Sequence, residues 1–148
     1  MEIRQLNKDD KEIFWKYFQA LSEKTKDTFH PHDFDRETAE KICEGKLGGS
    51  WIKFIALEED KIIGYFFFSD PENDFPSIGI CVRDGYQGRG LGKKFMNYLI
   101  NEAKRMEKKG LRLNVYKDNE KAYSLYKKLG FNEERIVIHM RLKFEEEK

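Results

Sequence analysis

V-R-D-G-Y-Q-G-R-G-L-G-K-K, residues 82–94, decides how the rest of the chain is read. Gly88, Gly90 and Gly92 alternate with larger residues, Lys93 and Lys94 follow, and an amphipathic run begins at once. Glycine at a helix start costs backbone entropy, so its repeated use implies a backbone that must be bare and closely approached. Backbone N–H groups at a helix N-terminus, with no side chains in front of them, form an anion site. A P-loop is excluded, because Leu91 follows Gly85-x4-Gly90 where lysine is required. A dinucleotide fingerprint is excluded as well, because Gly88-x-Gly90 meets Lys93 where a third glycine belongs. A tight strand-to-helix turn without a ligand is the plain alternative. Gln87 before the glycines and the lysine pair after them weigh toward phosphate.

Working outward, residues 90–109 carry an apolar stripe of Leu91, Phe95, Leu99, Ala103 and Met106, the spacing of a long helix that Gly110 ends. S-I-G-I-C-V (77–82), just upstream, reads as a strand. E-I-R-Q-L (2–6) alternates as a first strand, and Asn7 caps a helix over 8–23 with Ile13, Phe14, Tyr17, Phe18 and Leu21 inward. T-K-D-T-F-H-P-H-D-F (25–34) is irregular around Pro31, and a short helix over 35–45 stops at Gly45. W-I-K-F-I-A-L (51–57) and K-I-I-G-Y-F-F-F-S (61–69) form a hairpin about E-E-D. L-R-L-N-V-Y (111–116) is a strand, Asn119 caps a helix running to Gly130, and most of 131–142 is a final strand. The order β-α-α-β-β-β-α-β-α-β predicts an α/β fold with a mixed sheet in a single domain, 1–148.

Composition narrows the partners. The chain has 28 Lys and Arg against 27 Asp and Glu, a formal net charge of +1, which argues against a broad nucleic-acid footprint. No apolar run reaches membrane-spanning length, and M-E-I-R-Q-L-N lacks the apolar region of a secretory signal. Cys43 and Cys81 lie far apart without metal spacing, so two reduced thiols in a cytoplasmic protein and no metal site are expected. The 12 Phe and 7 Tyr supply a substantial core despite the high charge.

Two spaced motifs carry a resemblance. Through Gln87, Gly90 and Gly92 the glycine segment matches [QR]-x-x-G-x-[GA], a signature of the GNAT family of N-acetyltransferases. Downstream, N-E-K-A-Y-S-L-Y-K-K-L-G-F resembles the same family's N-x-x-A-x-x-L-Y-x-x-x-G-F, through Asn119, Ala122, Leu125, Tyr126, Gly130 and Phe131. The element order agrees over nearly the whole chain, which implies the GNAT-like acyl-CoA N-acyltransferase fold. The resemblance implies acetyl-coenzyme A as co-substrate, its diphosphate on the amides of Gly88, Arg89, Gly90, Leu91, Gly92 and Lys93 beside Gln87. It also implies that the pantetheine arm pairs with Ile80, Cys81 and Val82 like an added strand, a contact made by backbone.

The same resemblance implies direct attack by an amine in a ternary complex. The Ile80 amide is then the oxyanion donor, Asn119 a cofactor contact, and Tyr126 the acid that protonates the departing sulfur. Asn119 and Tyr126 stand seven residues apart, two turns along one helix face. Tyr126 also neighbours Leu125 and Leu129, so a packing role stays open. Cys81 need not be a nucleophile.

The acceptor side is less determined. In the family, enzymes that acetylate ribosomal-protein N-termini carry Glu five residues before the motif Asn; here Asn114 stands there and cannot take a proton. Asp70, Glu72 and Asp74 precede the fourth strand and are base candidates. His30 and His32 flank Pro31 in a loop that in this family borders the acceptor, where a His near neutral pKa could deprotonate an amine. Phe29, Phe34 and Phe75 line that pocket or pack in the core. A metal needs more ligands than H-x-H and Asp33 supply. The expected activity is acetyl transfer to a primary amine of a small molecule or peptide. The alternatives are a protein N-terminal or lysine acetyltransferase and a non-catalytic acyl-CoA sensor. Dimers are frequent among members of the family, so a homodimer is also an expectation.

Overall fold

A computed structural model describes residues 1–144. Strands β1 (Glu2–Gln5), β2 (Ile52–Glu58), β3 (Lys61–Phe68) and β4 (Ile78–Val82) form one antiparallel sheet in the order β1-β2-β3-β4. Only Glu59 and Asp60 join β2 to β3, both at positive φ (50° and 62°), the backbone that matches a two-residue hairpin to the strand twist. Every residue of β3 after Lys61 is buried. A strand covered on both faces has no polar alternation to show.

The two faces carry separate cores. α1 (Lys11–Gln19) and α3 (Arg36–Cys43) bring Phe14, Tyr17, Phe18 and Ile42 against Ile55, Tyr65, Phe67 and Cys81. α4 (Leu91–Arg105) brings Phe95, Met96, Leu99 and Ala103 against Phe54, Phe66, Phe68 and Ile78. The Phe95 ring stacks on Phe66 at 4.7 Å and lies 2.3 Å from where a Cβ on Gly64 would be, so only glycine lets α4 approach this closely. Each buried Phe contributes roughly 2 kcal/mol.

The α/β class and the order of the first seven predicted elements agree with the sequence, with three differences. The helix predicted over 8–23 is a 3-10 turn (Lys8–Asp10) leading into α1, which ends at Gln19. A further helix, α2 (Glu23–Thr28), crosses into the stretch predicted irregular. Its cause is local: Ser22 Oγ accepts the Thr25 N–H at 3.2 Å, a cap that apolar periodicity cannot reveal because α2 buries no residue.

The third difference lies around α5 (Glu120–Lys128). The strands predicted over 111–116 and 131–142 do not form among the described residues. The expected parallel pairing is reduced to one bridge between Ser77 and Arg112, with Ile78 N–H donating to the Arg112 carbonyl and Arg112 N–H to the Pro76 carbonyl, each at 3.0 Å. Past Arg112 the chain leaves β4. The 131–142 segment therefore meets no laddered neighbour, and a lone strand gains nothing over backbone bonded to water. Its Ile136, Val137, Ile138, Met140 and Leu142 are at least 73% exposed.

Candidate cofactor and acceptor site

β4 runs directly into the glycine turn. Gly85, Gly88 and Gly90 hold φ of 87°, 79° and 77°, and Gly90 is the left-handed cap of α4. A Cβ at Gly88 or Gly90 would meet no protein atom within 4 Å, so packing does not require these glycines. Their effect is to leave the main chain bare toward open space. Lys94 N–H donates to the Gly90 carbonyl at 3.2 Å, the first bond of α4. The N–H groups of Leu91, Gly92 and Lys93 precede it and have no acceptor inside the helix. The first turn of α4 holds no acidic residue. Its positive dipole end is therefore not neutralised locally. Tyr86 stiffens the bend: its N–H donates to the Arg83 carbonyl at 3.0 Å, and Lys61 and Arg89 lie over its ring at 5.2 and 4.8 Å.

The hydrogen-bond parity of β4 locates its open edge. Ser69 N–H reaches the Ser77 carbonyl and Arg83 N–H the Ile63 carbonyl, so odd-numbered residues of β4 face β3. Ile78 N–H points the other way, to Arg112. With a two-residue period, the amides of Ile80 and Val82 share that outer edge, whereas the Cys81 backbone turns to its partner Tyr65. Past Arg112 the edge from Ile80 to Val82 has no strand partner among the described residues, and it leads directly into the glycine turn. The Cys81 side chain is buried in the α1–α3 core, where burial pushes its thiol up to about 12.

α5 stands beside this turn. A Cβ on Gly92 would lie 3.8 Å from Leu125 Cδ2, and an open hollow of about 440 Å³ runs along Glu120, Lys121, Ser124, Leu125 and Lys128. Asn119 occupies the cap position of α5, but its side chain makes no capping bond. Tyr126 packs at the rim of the α4 core, its ring 5.8 Å from Phe131. Burial raises its pKa above the ordinary phenol value, which keeps the hydroxyl protonated at neutral pH. Neighbouring Tyr123 donates to Glu133 at 2.6 Å.

The acceptor candidates do not converge on one point. Asp70 accepts the Ser77 N–H at 2.5 Å and the Arg112 guanidinium, so it fastens the loop before β4 to the following chain. Asp74 pairs with Lys109 at 3.5 Å. His32 is largely enclosed: its Nδ1 lies 2.7 Å from the Asp33 carbonyl and its Nε2 3.3 Å from the Tyr65 hydroxyl. Burial lowers its pKa against the opposing pull of the Asp33 carbonyl, so its imidazole is neutral. Nδ1 therefore carries the hydrogen and donates to that carbonyl. His30 is exposed, with its ring 6.0 Å from Phe34. Phe29 and Phe34 join the α1–α3 core, and Phe29 lies 6.0 Å from Phe67, the register partner of Gly79. Phe75 stays away from them, against Gly110.

Sequence reading missed three residues that fasten the turn to α2, namely Asp84 within the turn and Ser22 and Thr25 at the start of α2. Asp84 accepts the Ser22 N–H at 3.2 Å, and Gln87 Nε2 donates to the Val82 carbonyl at 3.1 Å and to Thr25 Oγ1 at 3.4 Å. The S-E-K-T capping spacing at 22–25 was the available signal for Ser22 and Thr25. Nothing local signals Asp84.

The family model described as Acetyltransferase (GNAT) family matches residues 11–131. The chain belongs to this family. It is 31% identical over 101 residues to the [Ribosomal protein bS18]-alanine N-acetyltransferase of Escherichia coli K12, covering 66% of each, so the chain spans just under two thirds of that relative's length. The GNAT domain of S. lividans PAT superposes with a TM-score of 0.74 at 16% identity, covering 90% of this chain and 82% of that one. The aminoglycoside N-acetyltransferase AAC(6')-Iy, solved in complex with CoA, superposes with a TM-score of 0.65 at 20% identity, covering 96% and 99%. At these identities the two structures establish the shared fold. No described helix is long and apolar enough to cross a membrane, and the described residues hold no cluster that could bind a metal ion.

Proposed function

We propose that this GNAT chain transfers an acetyl group from acetyl-coenzyme A to a primary amine of a small molecule or peptide, by direct attack in a ternary complex. One observation carries the reading: the outward Ile80 and Val82 edge of β4 ends on a bare left-handed glycine turn at the dipole end of α4. Acetyl-coenzyme A supplies an activated thioester when bound. The amides from Gly88 to Lys93 hold its diphosphate, with main-chain donors and the helix dipole in place of salt bridges. The β4 edge receives the pantetheine arm, and the Ile80 N–H is aimed at the carbonyl oxygen on which charge develops. Tyr126, held neutral by burial, is the proton source for the departing sulfur. Asp70, Asp74 and His32 already hold protein partners, so none is assigned as the base.

Similarity to the bS18-alanine enzymes favours a second reading, in which the acceptor is the N-terminal amine of a peptide. Asn114, exposed and unable to take a proton, departs from the family's acidic residue at that place.

Thiol release from acetyl-CoA against a panel of amines and N-terminal peptides tests both readings. Gly90→Glu is expected to abolish CoA binding by calorimetry, since a carboxylate would stand in the diphosphate cradle; unchanged affinity refutes the placement. Tyr126→Phe is expected to lower kcat by about a hundredfold, the lower range for one general acid, with CoA affinity kept. Tight CoA binding with no thiol release from any amine would replace the enzyme by a sensor.

A further inference from the structure

One face of β4 is bare next to the proposed oxyanion donor. Ile78 and Ile80 turn their side chains into the α4 core. Gly79 and Cys81 face the α1–α3 side by strand alternation, and Gly79 puts no side chain there. The end of the Phe67 ring fills the place instead: its Cζ lies 2.4 Å from where a Cβ on Gly79 would be. An amine that reaches a thioester beside Ile80 therefore comes over Gly79, past Phe67, because the opposite face is packed against α4.

Phe67 is buried, and two half-buried aromatic residues flank it. The Trp51 indole stacks on its ring at 4.6 Å and 23°, and the Phe29 ring lies tilted at 6.0 Å. Trp51 is fixed from its own loop. The Gly48 carbonyl accepts both the Trp51 N–H at 3.1 Å and Lys53 Nζ at 2.8 Å, and a Cβ on Gly48 would stand 3.1 Å from the indole. Lys53 is the register partner of Phe67 on the side away from Gly79. Its buried Nζ also reaches the Ile42 carbonyl at 3.4 Å, and among the described residues it has no carboxylate partner. The charge nearest Phe67 in this row is thus positive, and a further cationic group on an acceptor gains nothing from it. A flat apolar group, in contrast, finds aromatic edges and faces to pack on.

We propose that the acceptor is a primary amine two carbons from an aromatic ring, its ring packed against Trp51 and Phe29 and its nitrogen standing over Gly79. This rests on the cofactor placement proposed above. One strand residue, roughly 3.3 Å, separates Gly79 from Ile80, so a short linker carries the ring from the wall to the amine. 2-Arylethylamines and peptides with an N-terminal aromatic residue both present this spacing. Among rings the amine loses hydration, which favours its neutral, attacking form. That answers the want of a base among Asp70, Asp74 and His32. The nitrogen bonds to the acetyl carbon and gives up a proton to water; the sulfur leaves with the bonding pair and takes a proton from Tyr126, which regains one from solvent.

Thiol release at saturating acetyl-CoA, compared for 2-phenylethylamine, a peptide beginning with Phe, the same peptide beginning with Ala, and spermidine, tests the acceptor class in the wild type. For the better aromatic acceptor kcat/KM is expected to exceed that of the Ala peptide and of spermidine by about tenfold or more. Whichever aromatic acceptor wins, free amine or peptide, supports the wall and names the source. Trp51→Leu should bring the ratio near one, mainly through KM, and Trp51→Phe, which keeps a ring, should restore most of it. Calorimetry adds a readout apart from turnover: the better aromatic amine should bind CoA-saturated protein about tenfold more weakly in Trp51→Leu, with the Kd for CoA kept. A preference for the Ala peptide or spermidine overturns the proposal and leaves acetyl transfer standing. An aromatic preference untouched by Trp51→Leu overturns it as well. Thiol release from no amine overturns the acetyl-transfer reading and the acceptor class together.

Discussion

The Tyr17 hydroxyl donates a 2.8 Å hydrogen bond to the Cys81 carbonyl, joining the inner face of α1 to the strand that carries the proposed oxyanion donor. Tyr17 is fully buried, and burial holds its phenol well above the ordinary pKa. The phenol therefore keeps its proton, and with it the bond, at neutral pH. Tyr17→Phe removes the donor without changing packing. It should destabilise by about 1 kcal/mol. For a chain of this length each kcal/mol lowers the melting temperature by roughly 2–4 °C. An unshifted thermal melt would show that the Cys81 carbonyl needs only its strand partner.

Both thiols should be inert in the native state. Burial pushes Cys43 and Cys81 up to about 12, leaving almost no thiolate at pH 8. Ellman's reagent is expected to react slowly with folded protein and quickly with both cysteines in guanidinium. Intact-mass measurement during turnover should detect no acetyl-enzyme. Rapid native labelling or an acetylated cysteine would contradict direct attack by the amine.

Acid stability should depend on Asp10. Burial by itself would raise this carboxyl, but two bonds from Arg4 (2.7 and 2.8 Å) and one from the Asn7 N–H (2.8 Å) outweigh it and hold the pKa below the usual value. The unfolded chain then takes up the proton first as pH falls. The stabilisation is thus fully present above about pH 4, near the unfolded value, and is lost as pH drops toward the lower folded one. Asp10→Asn should flatten the fall of stability across this window in urea titrations. An identical slope would mean that other carboxylates govern acid unfolding.

Two glycines should fail for different reasons. Gly64→Ala puts a methyl group 2.3 Å from the Phe95 ring, and such overpacking costs about 1–3 kcal/mol. Gly90→Ala meets no neighbour but sits at φ 77°, where an L-residue costs about 1–2 kcal/mol. Denaturant titration should show both losses, and the repacking at Gly64 should leave CoA affinity intact. Equal, negligible losses would contradict both the close α4 approach and the left-handed cap.

Much of the site was legible because it depends on local chemistry. The glycine spacing, the stripe from Leu91 to Met106 and the N-x-x-A-x-x-L-Y run lie within single elements, and each element sits where its pattern placed it. The E-E-D turn was legible for the same reason. The partners of polar side chains were not. Asp70 reads as a base candidate in D-P-E-N-D, yet it is bound by Arg112 and Ser77. His32 reads as a loop residue that could serve as a base at the acceptor, yet it is enclosed between Asp33 and Tyr65. Each contact depends on where a distant segment lands.

The sequence by itself determined the strands β1 to β4, the helices α1, α3 and α4 to within a few residues, and the glycine turn between β4 and α4, since periodicity, capping and glycine freedom act over a few residues. Tertiary structure alone decided which edge of β4 stays open, that 111–116 parts from the sheet after Arg112, and that Asp84 and Gln87 hold α2. Those outcomes rest on pairings across tens of residues, where closing the chain costs entropy and competing partners exist, so no local pattern records them.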